Sequence, residues 1–165
     1  QKVVSEIPSA KLVVAGKGGE KRKLEDLVSH LNLLENITFA GFVSDNEKWQ
    51  LMMSCDVFVL PSEVEAFGIS VIEAMACSKP VVVTDIGPFT EIVKHKETGL
   101  VVPLHSPDAI AEAIIELYQN NDLRKNIGDS ARKEIENRFN IAKIADDYLE
   151  LYMKAFQEKT SQGKL

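Results

Sequence analysis

Apolar residues in this chain fall into two kinds of run that take turns from end to end. Short continuous runs, KLVVAG (11–16), NITFAG (36–41), DVFVL (56–60), KPVVVT (79–84) and GLVV (99–102), are each bounded by glycine, proline or polar residues. Their length and β-branched content predict strands, and KLVVAG, with no polar alternation, predicts a strand buried on both faces. Between them the apolar positions recur with a helical period, as at Leu24, Leu27, Val28, Leu31 and Leu34 in the segment Glu20–Leu34. The sequence Ser44-Asp45-Asn46-Glu47 has capping-box spacing, so a helix is predicted from there to Ser54. Further helices are predicted over 69–77, over Asp122–Arg138 and over Ile141–Gln157. One more opens at Ser106–Pro107, a capping serine before a proline in the first helical position, and runs to Gln119. Glu91 reads as the start and cap of a helical turn after Phe89–Thr90, and the last eight residues, EKTSQGKL (158–165), as a frayed tail.

Strands separated by helices imply parallel pairing through right-handed crossovers. The predicted fold class is therefore α/β, a doubly wound, Rossmann-like parallel sheet with helices on both faces and a helical C-terminus. That class hosts many unrelated functions and names none of them.

Composition narrows the choice. A chain of 165 residues with 45% hydrophobic and 27% charged content reads as one soluble globular domain. The net charge of −6 speaks against nucleic-acid binding, which depends on neutralising phosphates, yet leaves room for one small phosphate pocket. Cys55 and Cys77 lack CxxC spacing and read as buried reduced thiols. No apolar run approaches the ~18 residues that span a bilayer, and the opening QKVVSEIPSAK has no signal-peptide core. Because the first residue is Gln1, the chain reads as part of a longer one.

In open parallel sheets ligands bind at the carboxyl ends of the strands. The loops there read GKGGE (16–20), GFVSDNE (41–47), PSEVEAFGIS (61–70), DIGPFTE (85–91) and PLHS (103–106). The glycines of 16–19 fit a tight strand-to-helix turn as well as an anion site, since neither the full dinucleotide fingerprint nor a P-loop is present. The loop at 61–70 is more specific. Glu63 and Glu65 stand in it, Gly68 sits where a helix should begin, and Glu73 lies about one and a half turns inside that helix among Ile69, Val71, Ile72, Ala74, Met75 and Ala76. A carboxylate there needs a partner. Either a structural salt bridge supplies it, or a pair of vicinal hydroxyls from a sugar or ribose does, since a carboxylate accepts two O–H donors.

The stretch Glu65-AFGISVI-Glu73 resembles the E-x7-E motif of retaining GT-B glycosyltransferases, in particular family 4. The flanks agree in order: LVVAGKGGE, ITFAGFVSDNE, DVFVLPS and AMACSKPVVVTDIGPFTEIVKHKETGLVVP all resemble segments of that family, and the likeness spans Ala10 to Phe139. The resemblance implies roles. Glu73 would hold the ribose hydroxyls, and Glu65 would stand at the reacting face of the transferred sugar as the catalytic residue. Backbone N–H groups of Phe67, Gly68 and Ile69 would meet the sugar and the diphosphate, Gly16 and Gly18 would allow close approach of the nucleotide, and Phe42–Val43 would flank the base. The donor would be a UDP-, GDP- or ADP-sugar, the transferred unit a hexose, and the anomeric configuration retained. No cofactor or metal is implied, in keeping with the lack of a D-x-D sequence. Leaving-group charge would be met by helix N-termini and cations.

The resemblance further implies that residues 1–157 form one nucleotide-sugar-binding domain lacking its first strand, with 158–165 as a tail. The missing start of this domain, a strand ending in G-R with a lysine in a nearby K-G step, would carry the arginine and lysine that neutralise the diphosphate. An N-terminal domain also absent from the chain would bind a glycan or lipid acceptor. The fragment alone would be inactive. The full protein would be cytoplasmic, with peripheral contact at the inner face of the membrane. Three positions depart from the family. Ala66 replaces a glycine, so its turn must avoid positive φ, Ser78 replaces another at a helix end, and Pro88 removes an N–H donor beside the phosphates.

His30, His95 and His105 lack metal-ligand spacing and read as surface or satisfied histidines, with His105 alone within reach of a strand-end site. Trp49 reads as packing, and Lys21-Arg22-Lys23 as a solvated helix face or a phosphate contact. Two other readings compete with the transferase: a nucleotide-sugar epimerase or hydrolase on the same architecture, and a non-catalytic nucleotide-binding module.

Overall fold

The computed structural model describes residues 1–161. Strand and helix alternate as the periodicity predicts: α1 (Lys2–Glu6), β1 (Leu12–Ala15), α2 (Lys21–His30), β2 (Ile37–Gly41), α3 (Asp45–Ser54), β3 (Phe58–Leu60), α4 (Ile69–Ala76), β4 (Val81–Thr84), α5 (Gly87–Ile92), β5 (Leu100–Val102), α6 (Pro107–Gln119), α7 (Asn121–Arg138) and α8 (Ile141–Ser161). Every strand pair is parallel, and the strands form two hydrogen-bonded ladders, β1–β2 and β3–β4–β5.

The core gathers around β4. Val81, Val82 and Val83 are fully buried, and strand alternation sends them to opposite faces. Val81 and Val83 pack with Val71, Ala74 and Met75 of α4, Phe89 of α5 and Ala131 of α7. Val82 packs with Leu100 and Val102 of β5, Ala113 and Leu117 of α6, and Ile127. Helices therefore cover both faces of the sheet.

The first strand corrects the expectation of burial on both faces. Leu12 and Val13 of β1 are 47% and 44% exposed, because the β1–β2 ladder is not hydrogen-bonded to the β3–β4–β5 ladder that carries the core. Several helix ends and one cap also differ from prediction. α2 stops at His30 rather than Leu34: Asn32 adopts φ 57°, and the Leu33 amide turns back to the Val28 carbonyl. Ser106 occupies the N-cap of α6 without donating or accepting a side-chain cap bond. α7 begins one residue early because Asn120 caps it through the Leu123 amide at 2.9 Å. α8 continues to Ser161, into the stretch read as a tail, while 162–165 lie outside the described residues. Two short helices, α1 and α5, lacked enough length to show a period; α1 is tied to α6 by Lys2, 2.7 Å from Glu112.

The end of α4 shows what Ser78 does in place of glycine. Ser78 takes φ 57°, its amide meets the Met75 carbonyl, and the Lys79 amide meets the Ala74 carbonyl. This is a Schellman closure, which favours glycine because a Cβ crowds the following carbonyl in the left-handed region. Ser78→Gly is therefore expected to stabilise the fold by up to about 1 kcal/mol after the entropy of glycine is set against the relief of strain. Calorimetry should show Tm rising by about 2–4 °C; a fall would contradict this account.

Candidate functional site

The loop from β3 to α4 is built to place its backbone. Gly68 caps α4 at φ 92° and ψ 41°, a region open to glycine, and a Cβ there would come within 3.0 Å of the buried Phe89 ring. Ala66, in contrast, avoids positive φ, as its side chain requires. The buried Thr84 hydroxyl at the end of β4 donates to the Ser62 carbonyl at 2.5 Å, which ties the loop to the sheet. Glu65 folds back on its own loop: its Oε1 accepts from the Ala66 amide at 2.9 Å and from the Phe67 amide at 3.5 Å. The N–H groups of Gly68, Ile69 and Ser70 have no acceptor among the described residues. They point from the first turn of an eight-residue helix, where free amides and the helix dipole favour an anion.

Glu73 answers the question its surroundings pose. Its side chain is one-fifth exposed, and Oε1 accepts from the Lys48 ammonium of α3 at 2.7 Å. Lys48 lies 3.6 Å from Asp45 and 5.2 Å from the centre of the Trp49 ring. The hydrogen bond with Glu73 is the first cause raising the Lys48 pKa above its ordinary value. α3 itself is fixed at its start by the predicted capping box, in which the Glu47 carboxylate takes the Ser44 amide and the Ser44 hydroxyl takes the Glu47 amide. The Ser44 hydroxyl, which donates to Glu47 Oε2 at 2.6 Å, and after it the Ser44 amide hold the Glu47 carboxyl below its ordinary value.

The loops after β1 and β2 meet. The Gly16 amide, at φ 126°, donates to the Gly41 carbonyl at 2.6 Å, and the Lys17 ammonium lies 5.4 Å from the centre of the exposed Phe42 ring. Gly18 has open space around it. Phe42 and Val43 lead straight into α3, so one helix links this group to Glu73 through Lys48.

A cavity of about 270 Å³ opens beside the loop, lined by Ala66, Phe67, Gly87, Pro88, Glu91, Ile92, Arg138 and Phe139. The Phe67 and Phe139 rings meet edge to face at 6.0 Å. Arg138 donates to the Glu91 carbonyl at 2.9 Å, so Glu91 stands near the end of α5 rather than capping its start. α5 begins earlier because Ile86 is extended and Pro88 suits a first turn, where its missing N–H breaks no helical bond.

Other candidates stay apart from this arrangement. Lys21 and Lys23 pair with Glu25 and Glu20 at 3.5 and 2.8 Å, as a solvated helix face does. His95 accepts the Val101 amide through Nδ1, and His105 lies 3.4 Å from Glu63 at the ends of β5 and β3. Cys55 and Cys77 are free thiols, each only partly buried, and burial pushes the Cys55 thiol up. No cluster of three His, Cys, Asp or Glu side chains suited to a metal occurs among the described residues. Sequence reasoning missed Lys48 and Arg138. A cation one position past a capping box, on a helix that also carries Trp49, Leu51 and Met52, was the available signal for Lys48.

Known proteins share this arrangement of elements. The sequence profile of the glycosyl transferases group 1 family matches residues 1–134. An uncharacterised glycosyltransferase of Methanocaldococcus jannaschii is 36% identical over 149 residues, covering 90% of this chain and 38% of that protein. The N-acetyl-alpha-D-glucosaminyl L-malate synthase of Bacillus anthracis is 32% identical over 164 residues, covering 99% of this chain and 42% of that protein. Among solved structures, a variant of S. aureus TarM in complex with Fondaparinux, alpha-GlcNAc-glycerol and UDP superposes with a TM-score of 0.83 at 26% identity, over 92% of this chain and 30% of that one. The chain thus spans about two fifths of the length of the curated relatives it matches.

Proposed function

From the premise that this chain belongs to the glycosyl transferases group 1 family, we propose that it is the donor-binding part of a retaining glycosyltransferase. The donor is a nucleoside diphosphate sugar, the unit moved is a hexose, and the acceptor is a glycan or lipid held by a domain outside this chain. The observation that carries the reading is Glu73, a mostly buried carboxylate with one oxygen held by Lys48, on the helix whose first-turn amides have no acceptor among the described residues. That pairing of a diol acceptor with an anion site suits a ribose diphosphate. The solved relative that carries UDP supports the same ligand class.

In this reading Glu73 takes the ribose hydroxyls and the amides of Gly68 and Ile69 take the diphosphate. Phe42 and Val43 flank the base, and Gly16 and Gly18 leave room for it. Glu65 stands at the transferred sugar, and the Phe67 amide, now held by Glu65, turns to the donor as it arrives. Charge on the leaving group is met by oriented amides and by cations, without a metal ion or cofactor. This chain by itself binds donor without completing transfer. The full protein works in the cytoplasm and touches the inner face of the membrane through its acceptor side.

Thermal denaturation tests the reading. UDP, GDP, ADP and their sugars are added in turn to the full-length protein, and one nucleotide class should stabilise it. At about 100 times Kd, the gain is about 2.7 kcal/mol, or several degrees in Tm. If none of the three classes raises Tm, the donor-binding proposal fails. Turnover of a nucleotide sugar by the 165-residue chain alone would overturn the claim that it needs a further domain.

A further inference from the structure

We propose that Lys48 is a positioning residue for the ribose, acting through Glu73. The inference rests on the nucleotide reading above and adds a residue to it. α4 is apolar around Glu73, with Val71, Ala74 and Met75 fully buried, so nothing on that helix holds the carboxylate in one rotamer. Lys48 does so from α3, at 2.7 Å, with both side chains largely shielded.

The bond uses Oε1 alone. Oε2 has no donor among the described residues, and Oε1 keeps a second lone pair. A vicinal diol presents two O–H donors, and those two remaining acceptor positions match it. Lys48 need not leave when the nucleotide arrives; it fixes the plane of the carboxylate beforehand, which lowers the ordering cost of binding. Its place on α3 adds a second consequence. The same helix begins directly after Phe42 and Val43, so the bond also sets the spacing between the residues proposed to flank the base and the residue proposed to hold the ribose.

A lysine that touched the diphosphate instead would strengthen ribonucleotide and deoxyribonucleotide binding alike. A lysine that acts through Glu73 strengthens only the ligand with both hydroxyls. Calorimetric titration of the full-length protein with UDP, 2′-deoxy-UDP and 3′-deoxy-UDP, and with the GDP and ADP series, separates the two. Wild type should prefer the ribonucleotide by on the order of tenfold to a hundredfold, the range for hydrogen bonds to a charged group. Lys48→Ala should lower that preference to about threefold or less, and Lys48→Arg, which can still reach the carboxylate, should retain most of it. Thermal melting of each variant without ligand reports whether the fold survives the change. A preference unchanged in Lys48→Ala overturns this inference and leaves the nucleotide reading standing. A wild-type protein that binds ribo- and deoxynucleotides equally overturns the ribose role of Glu73, and this inference with it.

Discussion

Gly128→Ala is expected to destabilise the fold by about 2 kcal/mol, although alanine is the better helix former. Gly128 sits inside α7 and is buried against α4. A Cβ at this position would lie 2.2 Å from the Ser78 carbonyl oxygen and 3.1 Å from its carbon. Both are backbone atoms, and Ser78 is held by the Schellman closure of α4, so no rotamer change relieves the clash. Exchange of glycine for alanine in a helix interior gains about 1 kcal/mol from propensity. Overpacking that moves backbone costs typically 1–3 kcal/mol and at times more. The contact is about 1 Å inside ordinary van der Waals distance, so the upper part of that range applies and the steric cost wins. Tm should fall by about 4–8 °C for a chain of this length. An equal or higher Tm would mean that α7 can slide from α4 at little cost, and that their close packing is not what sets the distance between them. The exposed Gly19, where a Cβ meets nothing within 4 Å, provides the comparison.

That contact marks the boundary of what the sequence reveals. The five strands were legible as short apolar runs and the longer helices by their period and caps, and all three of Val81–Val83 are buried, as suits a continuous apolar run. The same rule failed for KLVVAG, since a strand's burial depends on which ladder it joins, and pattern within the strand does not encode that. Helix ends set by backbone bonds, such as the turn at Asn32, were blurred because the closing residues are ordinary ones in unusual φ. At the site, Glu73 stood out as a carboxylate inside an apolar helix, Gly68 as the glycine where that helix should begin and which its left-handed cap requires, and Glu65 only through the resemblance of the E-x7-E spacing. Lys48 did not, because its meaning lies in a contact 25 residues along the chain.

Glu73→Gln and Glu65→Gln should separate two functions that share one loop and one helix. Glutamine keeps the size of Glu73 but replaces one acceptor oxygen with a donor group, so a ribose diol can no longer find two acceptors on it. Affinity for the preferred nucleoside diphosphate should fall on the order of tenfold to a hundredfold, the worth of a charge-assisted hydrogen bond in a partly shielded site. Stability without ligand should change little, about 1 kcal/mol or less, because the Lys48 side chain is 30% exposed and its ammonium has Asp45 3.6 Å away. Glu65→Gln should behave the opposite way. Its amide oxygen can still accept from the Ala66 N–H, so the loop stays closed, and Glu65 in this reading faces the sugar rather than the nucleotide. UDP, GDP or ADP should therefore bind it as they bind wild type. Transfer by the full-length protein should drop by about a hundredfold or more, as for loss of a group that stabilises charge at a reacting centre. Titration with the nucleoside diphosphate and single-turnover transfer, run on both variants, check the pair of expectations together. The decisive result is the crossing. If Glu73→Gln binds nucleotide as wild type does, the carboxylate is only the structural partner of Lys48. If Glu65→Gln loses nucleotide without a sugar attached, the two glutamates do one job and the division between sugar and ribose is wrong.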